Sequence, residues 1–214
     1  MQKLIHQEWT EFFPSSEQGK KYFNENEKLV SGDQRYYVRF CKFDTLITEG
    51  AINFTTTKET TKSLIEDTEF YNCSNIIGKG GSLYFSSAGE CVQNRICSLN
   101  SNSPRGSMYC WVEVSNIAEY KNKILNSSIS QSGNLYKNNT GNIWLKNGEV
   151  EINSINISYT DIYYNSLFSS YYYNSSTIAS FSTFSNNTDT FGRYGYSLYF
   201  THSSETYLLS HVTT

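Results

Sequence analysis

Short runs in which apolar and polar residues alternate recur along the whole chain, and they come in two phases. In the first, a glycine precedes a small residue, an aliphatic, a variable residue and an apolar one. Copies are Gly50-Ala51-Ile52-Asn53-Phe54, Gly81-Ser82-Leu83-Tyr84-Phe85, Gly106-Ser107-Met108-Tyr109-Cys110 and Gly141-Asn142-Ile143-Trp144-Leu145, with a looser copy at Gly195-Tyr196-Ser197-Leu198-Tyr199-Phe200. In the second phase, alternating segments precede these, at Val38 to Phe43, Ile65 to Cys73, Ile96 to Leu99, Leu125 to Ile129, Ile155 to Ile157 and Phe181 to Phe184. Alternation of period two predicts strands with one face inward, and the recurrence defines a unit of about 25 to 35 residues. A copy is skipped near Leu167 to Tyr171, which lacks its glycine.

Two or three short strands cannot bury their own inner face, so each unit must stack on its neighbours. Successive copies then run parallel at about 4.8 Å per rung, and the inner positions Ile52/Phe54, Leu83/Phe85, Met108/Cys110, Ile143/Leu145 and Leu198/Phe200 line up as apolar ladders. The residues between them, Asn53, Tyr84, Tyr109, Trp144 and Tyr199, are expected to point outward. The glycines are expected at corners, where φ > 0 is needed, and the abundant Asn is the next best residue there.

Glu49-Gly50-Ala51-Ile52-Asn53-Phe54 and Gly80-Gly81-Ser82-Leu83-Tyr84-Phe85 resemble the Gly-Gly-Ala-Ile motif of polymorphic outer-membrane-protein repeats. Phe70-Tyr71-Asn72-Cys73 resembles the Phe-x-Asn-Cys segment that accompanies it. Similar repeats occur in surface proteins of parasitic protists. The resemblance spans roughly residues 36–206 and is closest around Gly50 and Gly81. It implies an all-β, right-handed parallel β-helix (solenoid) of about six rungs, of a kind found in surface proteins.

The first 35 residues fall outside the repeat and are expected to form a short, part-helical N-terminal cap followed by a loop, with the β-helix over 36–214. Leu4, Ile5, Trp9, Phe12 and Phe13 make an apolar stripe that stops at Pro14. Its use is either a fold cap or a contact with a partner or membrane. At the other end, Tyr207 to Thr214 reads as the opening strand of another rung. No window is long and apolar enough for a membrane span, and the first residues do not read as a signal peptide. A cell-surface or extracellular location nonetheless fits the repeat type.

Composition narrows the partners. With 17 basic and 20 acidic residues, the net charge is −3, which gives no cationic surface for nucleic acid. The five cysteines, Cys41, Cys73, Cys91, Cys97 and Cys110, have no C-x-x-C pair and only three histidines beside them. They read as buried apolar fillers, with a Cys91–Cys97 bridge as the alternative. Glycosylation sequons occur at Asn53, Asn72, Asn126, Asn138, Asn156, Asn174 and Asn186, a number that so Asn- and Ser/Thr-rich a chain reaches by chance.

Right-handed β-helices also include pectate-lyase-like enzymes, which need clustered carboxylates with a nearby Arg or Lys. Here only Glu66-Asp67-x-Glu69 clusters, on a strand, and it reads as a solvated outer face. Neither a nucleophile elbow nor a phosphate-binding loop is present, and His6, His202 and His211 lie at the ends. No catalytic, cofactor or metal residues are assigned. The aromatics expected outward, Tyr84, Tyr109, Trp144 and Tyr199, are the candidate ligand contacts, and the runs Tyr163-Tyr164 and Tyr171-Tyr172-Tyr173 are either a binding platform or packing. The expected function is a non-enzymatic, adhesin-like scaffold presenting loops to a protein or glycan surface. The alternatives are a polysaccharide-active enzyme and a carbohydrate-binding module.

Overall fold

The computed structural model describes residues 9–31, 34–86, 88–133, 141–162, 166–171, 177–189, 196–201 and 207–213. The chain is all-β and winds as a parallel β-helix, consistent with the right-handed form. One face stacks seven strands, Leu29–Ser31, Ile52–Thr55, Leu83–Ser86, Ser107–Glu113, Gly141–Lys146, Ser166–Tyr171 and Tyr196–Thr201. We call it the broad face. The first flank is a stack of eight, beginning at Lys20–Phe23 and Arg35–Arg39 and ending at Thr177–Ser180 and Tyr207–Ser210. A second flank runs from Lys42–Asp44 through the latter halves of Lys62–Tyr71 and Glu90–Leu99 to Ser128–Ser130, Asn156–Ser158 and Thr183–Ser185. All of these pairings are parallel, as stacking of like on like requires.

Inside, the ladders are continuous. Leu29, Ile52, Leu83, Cys110, Ile143, Phe168 and Leu198 sit one above another on the broad face. Phe43, Phe70, Ser98, Ile129, Ile157 and Phe184 do so on the second flank, where the Phe43 and Phe70 rings stack at 5.3 Å. On the first flank the row Val38, Ile65, Gln93, Ile124, Ile152 and Ala179 contains one polar side chain. Gln93 is buried there, and its Oε1 accepts a 2.7 Å hydrogen bond from the Tyr109 hydroxyl across the core. A buried amide without that partner would cost about 1–3 kcal/mol.

The register differs from the one expected at Gly106. Ladder pairing matches Cys110 with both Leu83 and Ile143, and Trp111 with Tyr84 and Trp144. A bulge between Gly141 and Ile143 takes up the extra residue. Met108 and Tyr109 are therefore both buried, and Trp111, not Tyr109, occupies the outward column. Tyr109 was expected outward because its glycine motif looks like the others; the bulge that brings its hydroxyl to Gln93 reverses its side.

The corners meet the expectation for Asn but not for glycine. Between the two flanks, every rung turns on one left-handed residue: Asn24, Phe40, Asp67, Arg95, Asn126, Ser154, Phe181 and His211, with φ from 47° to 55°. A second column, Thr45, Asn72, Asn100, Gln131, Tyr159 and Asn186, turns the chain past the second flank with φ from 50° to 58°. None of these is glycine. Each side chain projects away from the coil, and the corner N–H stays in the ladder, as Asn72 N donating to Leu99 O (3.0 Å), Asn126 N to Asn153 O (2.9 Å) and Phe181 N to Ser210 O (2.9 Å). Glycine is needed at the entrance to the broad face. Gly50 has φ 76°, and a Cβ on Gly81 would lie 2.1 Å from the Met108 carbonyl oxygen.

Residues 9–12 form one helical turn that ends before Pro14. Leu4 and Ile5 of the predicted stripe lie outside the described residues. Trp9 and Phe13 are buried, but against Tyr37, Leu64 and Val92, three outward side chains stacked in register on the first flank. The segment thus lies along the side of the stack, and strands begin at Lys20, inside the stretch expected to be cap and loop.

Replacing Gln131, an exposed left-handed corner, tests the corner geometry. Gln131→Val is expected to lower stability in urea unfolding by about 1–2 kcal/mol, whereas Gln131→Gly should stay within about 1 kcal/mol of the parent. Equal losses would contradict the left-handed conformation.

Candidate functional site

The outward column of the broad face reads Asn53, Tyr84, Trp111, Trp144, Ser169 and Tyr199. Two of these rings face each other rather than solvent. Trp111 and Trp144 stack at 4.4 Å between centroids with planes 7° apart, and the Lys79 ammonium lies 3.7 Å from the Trp111 centroid. An ammonium and an indole cannot share one face at those distances, so Lys79 covers the face opposite Trp144. Trp111 is left 9% exposed. Neither of its flat faces is open to a sugar.

Of the four candidate aromatics, Tyr84, Trp144 and Tyr199 are half-buried on the outer side and Tyr109 is inside. Tyr84 differs from the rest: its ring makes no aromatic stack and its hydroxyl no hydrogen bond. It forms, with Asn53, the floor of a groove of about 480 Å³. One wall is the loop at Ile77, Gly78 and Lys79, and Arg105 and Glu49 also line it. The loop is stapled by Asn75, whose Oδ1 accepts from Gly78 N (2.7 Å) while its Nδ2 donates to Lys79 O (3.0 Å). Ser103 Oγ donates to Gly78 O at 2.8 Å, tying in the neighbouring loop that carries Arg105.

The groove's charge is uneven. Glu49 is ion-paired with Lys28. Lys79 and Arg105 have no carboxylate partner among the described residues, and the side chain of Asn53 makes no hydrogen bond. Ile47, Ile76 and Ile77 are exposed on adjoining loops, which are joined by Ile76 N donating to Thr48 O. Sequence reading found Tyr84 but missed Lys79, Arg105 and Ile77, because they sit in loops between the periodic segments. The signal that marks them is their position beside the strand carrying Tyr84.

Of the acidic cluster, only Glu69 lies on the solvated face that was expected of all three. Glu66 is fully buried, its Oε1 accepting from the Tyr37 hydroxyl (2.6 Å) beside Arg39 (3.4 Å) and Arg95 (3.7 Å). Asp67 is a corner residue gripped by Arg95 Nε (2.6 Å), Arg95 Nη2 (3.0 Å) and Arg39 Nε (2.8 Å). Glu69 lies on the second flank near Lys42 at 3.6 Å. Burial alone would raise the Asp67 carboxyl, but Arg95 and Arg39 outweigh it and hold it below its ordinary value. Held in this way, the carboxylates fasten three rungs together.

All five cysteines are free thiols, four of them buried and Cys97 exposed. Burial pushes Cys73 up to about 11 and Cys110 up to about 12. No group of three His, Cys, Asp or Glu side chains comes together among the described residues. No helix among them is long and apolar enough to cross a membrane. His6, His202, Tyr163, Tyr164, Tyr172 and Tyr173 lie outside the described residues. His211 is a corner residue stacked on Phe181 at 4.8 Å. Comparisons with protein-family profiles, curated proteins and solved structures return no match.

Two outcomes follow for these side chains. Because the Asp67 carboxyl is depressed in the fold, its stabilisation is present above the unfolded value of about 3.9 and is lost as pH falls through the lower folded one. Acid titration of unfolding free energy should therefore fall more steeply below about pH 4 for the parent than for Asp67→Asn, which starts less stable. A thiol reagent should modify one cysteine in the folded chain and five after denaturation, with Cys97→Ser abolishing the native reaction. Rapid modification of a second thiol would contradict the buried placement.

Proposed function

We propose that the chain is a non-enzymatic, adhesin-like surface scaffold of the polymorphic outer-membrane-protein type, whose stacked coil holds loops in fixed positions for contact with a protein or glycan surface. One observation carries the reading. The groove above Leu83–Ser86 gathers a free aromatic, an unbonded amide and two cations without carboxylate partners, in walls already braced by Asn75 and Ser103. Polar groups left unbonded in a preformed concavity are what a binding site offers a partner. The groove's own carboxylate, Glu49, is committed to Lys28, which supports a binding role over acid–base chemistry.

The test uses the full chain coupled to beads. Beads should be retained on protein-coated or glycan-coated surfaces, and a Tyr84→Ala/Arg105→Ala pair, folded by circular dichroism, should lose most of that retention. Retention no better than with albumin beads, or unchanged in the pair, would overturn the adhesive reading. Release of new reducing ends or unsaturated sugars from a polysaccharide panel would overturn the non-enzymatic one.

A further inference from the structure

We infer that the groove over Leu83–Ser86 is a binding site for a carboxylate-bearing saccharide. The inference rests on the groove being an interaction site and adds the chemistry of what enters it. Four groups define that chemistry. The Tyr84 ring, free of any stack, provides an apolar face for the C–H side of a sugar ring. Asn53 lies directly in register with Tyr84 on the neighbouring rung, so its unbonded carboxamide sits about 4.8 Å along the axis, placed to exchange hydrogen bonds with ring hydroxyls. Arg105 brings a guanidinium without a carboxylate partner, the group best shaped for bidentate contact with a carboxylate. Lys79 adds a second positive charge, fixed in place by the Trp111 ring 3.7 Å beneath it.

Charge points to an anion. The chain carries 20 acidic residues against 17 basic ones, and several cations elsewhere are paired across rungs, as Lys62 with Glu90, Lys123 with Glu151 and Lys146 with Glu113, while Lys20 and Lys121 lie over aromatic rings. Two cations left unpaired at one groove in an acidic chain select a negatively charged occupant. The room in the groove is also fixed in advance. Gly106 leaves space for Lys79 to lie over the indole, since a Cβ there would meet Lys79 Cγ at 3.0 Å and Trp111 at 3.3 Å. The volume of about 480 Å³ lies within the usual range of small-ligand sites, roughly 300–1,000 Å³.

An acidic peptide would share the charge but not the other groups. Extended peptides bind sheets along open edges, through main-chain hydrogen bonds. The groove lies on the face of a sheet whose main chain is already paired, Ile52–Thr55 to Leu83–Ser86 and on to Ser107–Glu113. What is left to offer is one phenol ring, one amide, one guanidinium and one ammonium, which matches hydroxyls, an apolar ring face and one carboxylate.

Calorimetric titration of the full chain distinguishes these ligands. The probes are a hyaluronan tetrasaccharide, the same tetrasaccharide with its carboxylates reduced to alcohols, and hexaglutamate. The tetrasaccharide should bind, and reduction should weaken it roughly tenfold to hundredfold, the scale of a charged hydrogen bond. Arg105→Ala should cause a similar loss and erase the preference for the charged form. Tyr84→Ala should weaken both saccharides, and Tyr84→Phe should restore most of that binding by keeping the ring. Circular dichroism and urea midpoints confirm that each variant is folded. Equal binding of charged and reduced forms, indifference to Arg105→Ala, or no binding by any probe would overturn the inference. Tighter binding of hexaglutamate would also overturn it, while leaving intact an adhesive groove that retains beads on a protein coat.

Discussion

A parallel coil of short strands holds together only if the chain can turn a sharp corner without dropping out of the hydrogen-bond ladder, and here one left-handed residue per corner does this. At Asn72, Asn126 and Phe181 the φ is about 50° and the corner N–H still reaches the carbonyl of the next rung. The strain of a non-glycine residue in that conformation, of order 1–2 kcal/mol, is offset because no main-chain donor is lost. Everything inside follows. Identical turns in successive rungs bring Ile over Leu and Phe over Phe, and the outward residues fall into columns as regular as the inner ones.

Columns so regular create a difficulty on the outside, since a charge would meet its own kind about 4.8 Å away. At several positions the sequence avoids this by alternating sign, although Arg35 and Lys62 are in register. Lys42 meets Glu69, Lys62 meets Glu90, Lys123 meets Glu151 and Lys146 meets Glu113 on adjoining rungs. The one exposed pair among them, Lys42 with Glu69, contributes little, about 0–1 kcal/mol. The larger effect of the pairs is on register, because a strand slipped by one residue would lose them and turn its apolar row outward. The Arg39, Glu66, Asp67 and Arg95 cluster is the buried extreme of the same pattern.

Much of the architecture was legible in the sequence because stacking imposes a period, and the glycine motifs at Gly50, Gly81 and Gly141 report that period faithfully. The Gly106 copy was misread for a physical reason: a bulge adds a residue, and a motif of one glycine and two apolar positions carries no count of what lies between. With the bulge, Tyr109 turns inward and its hydroxyl meets Gln93. Asn was expected at corners and is found there at Asn24, Asn72, Asn100, Asn126 and Asn186, but left-handed residues need be neither glycine nor Asn where the side chain has open space beside it, as Tyr159 and Phe181 show. Of the groove, Tyr84 was visible as an outward aromatic, while Lys79 and Arg105 belong to loops with no period to reveal them. Stacking also explains why an aromatic column is a poor sugar platform: Trp111 and Trp144 spend their faces on each other, and the ring without a stacking neighbour remains available.

The strap formed by Trp9 and Phe13 has a consequence for how such a rod comes apart. A solenoid with contacts only between adjacent coils frays from its ends, one coil at a time. Tyr37, Leu64 and Val92 belong to three successive coils, and one pair of aromatic rings is buried against all of them. Peeling away the outermost of these coils therefore uncovers the rings for its neighbours too. The same two rings thus couple three coils that would otherwise touch only their immediate neighbours, and fraying from that end has to overcome all three contacts at once.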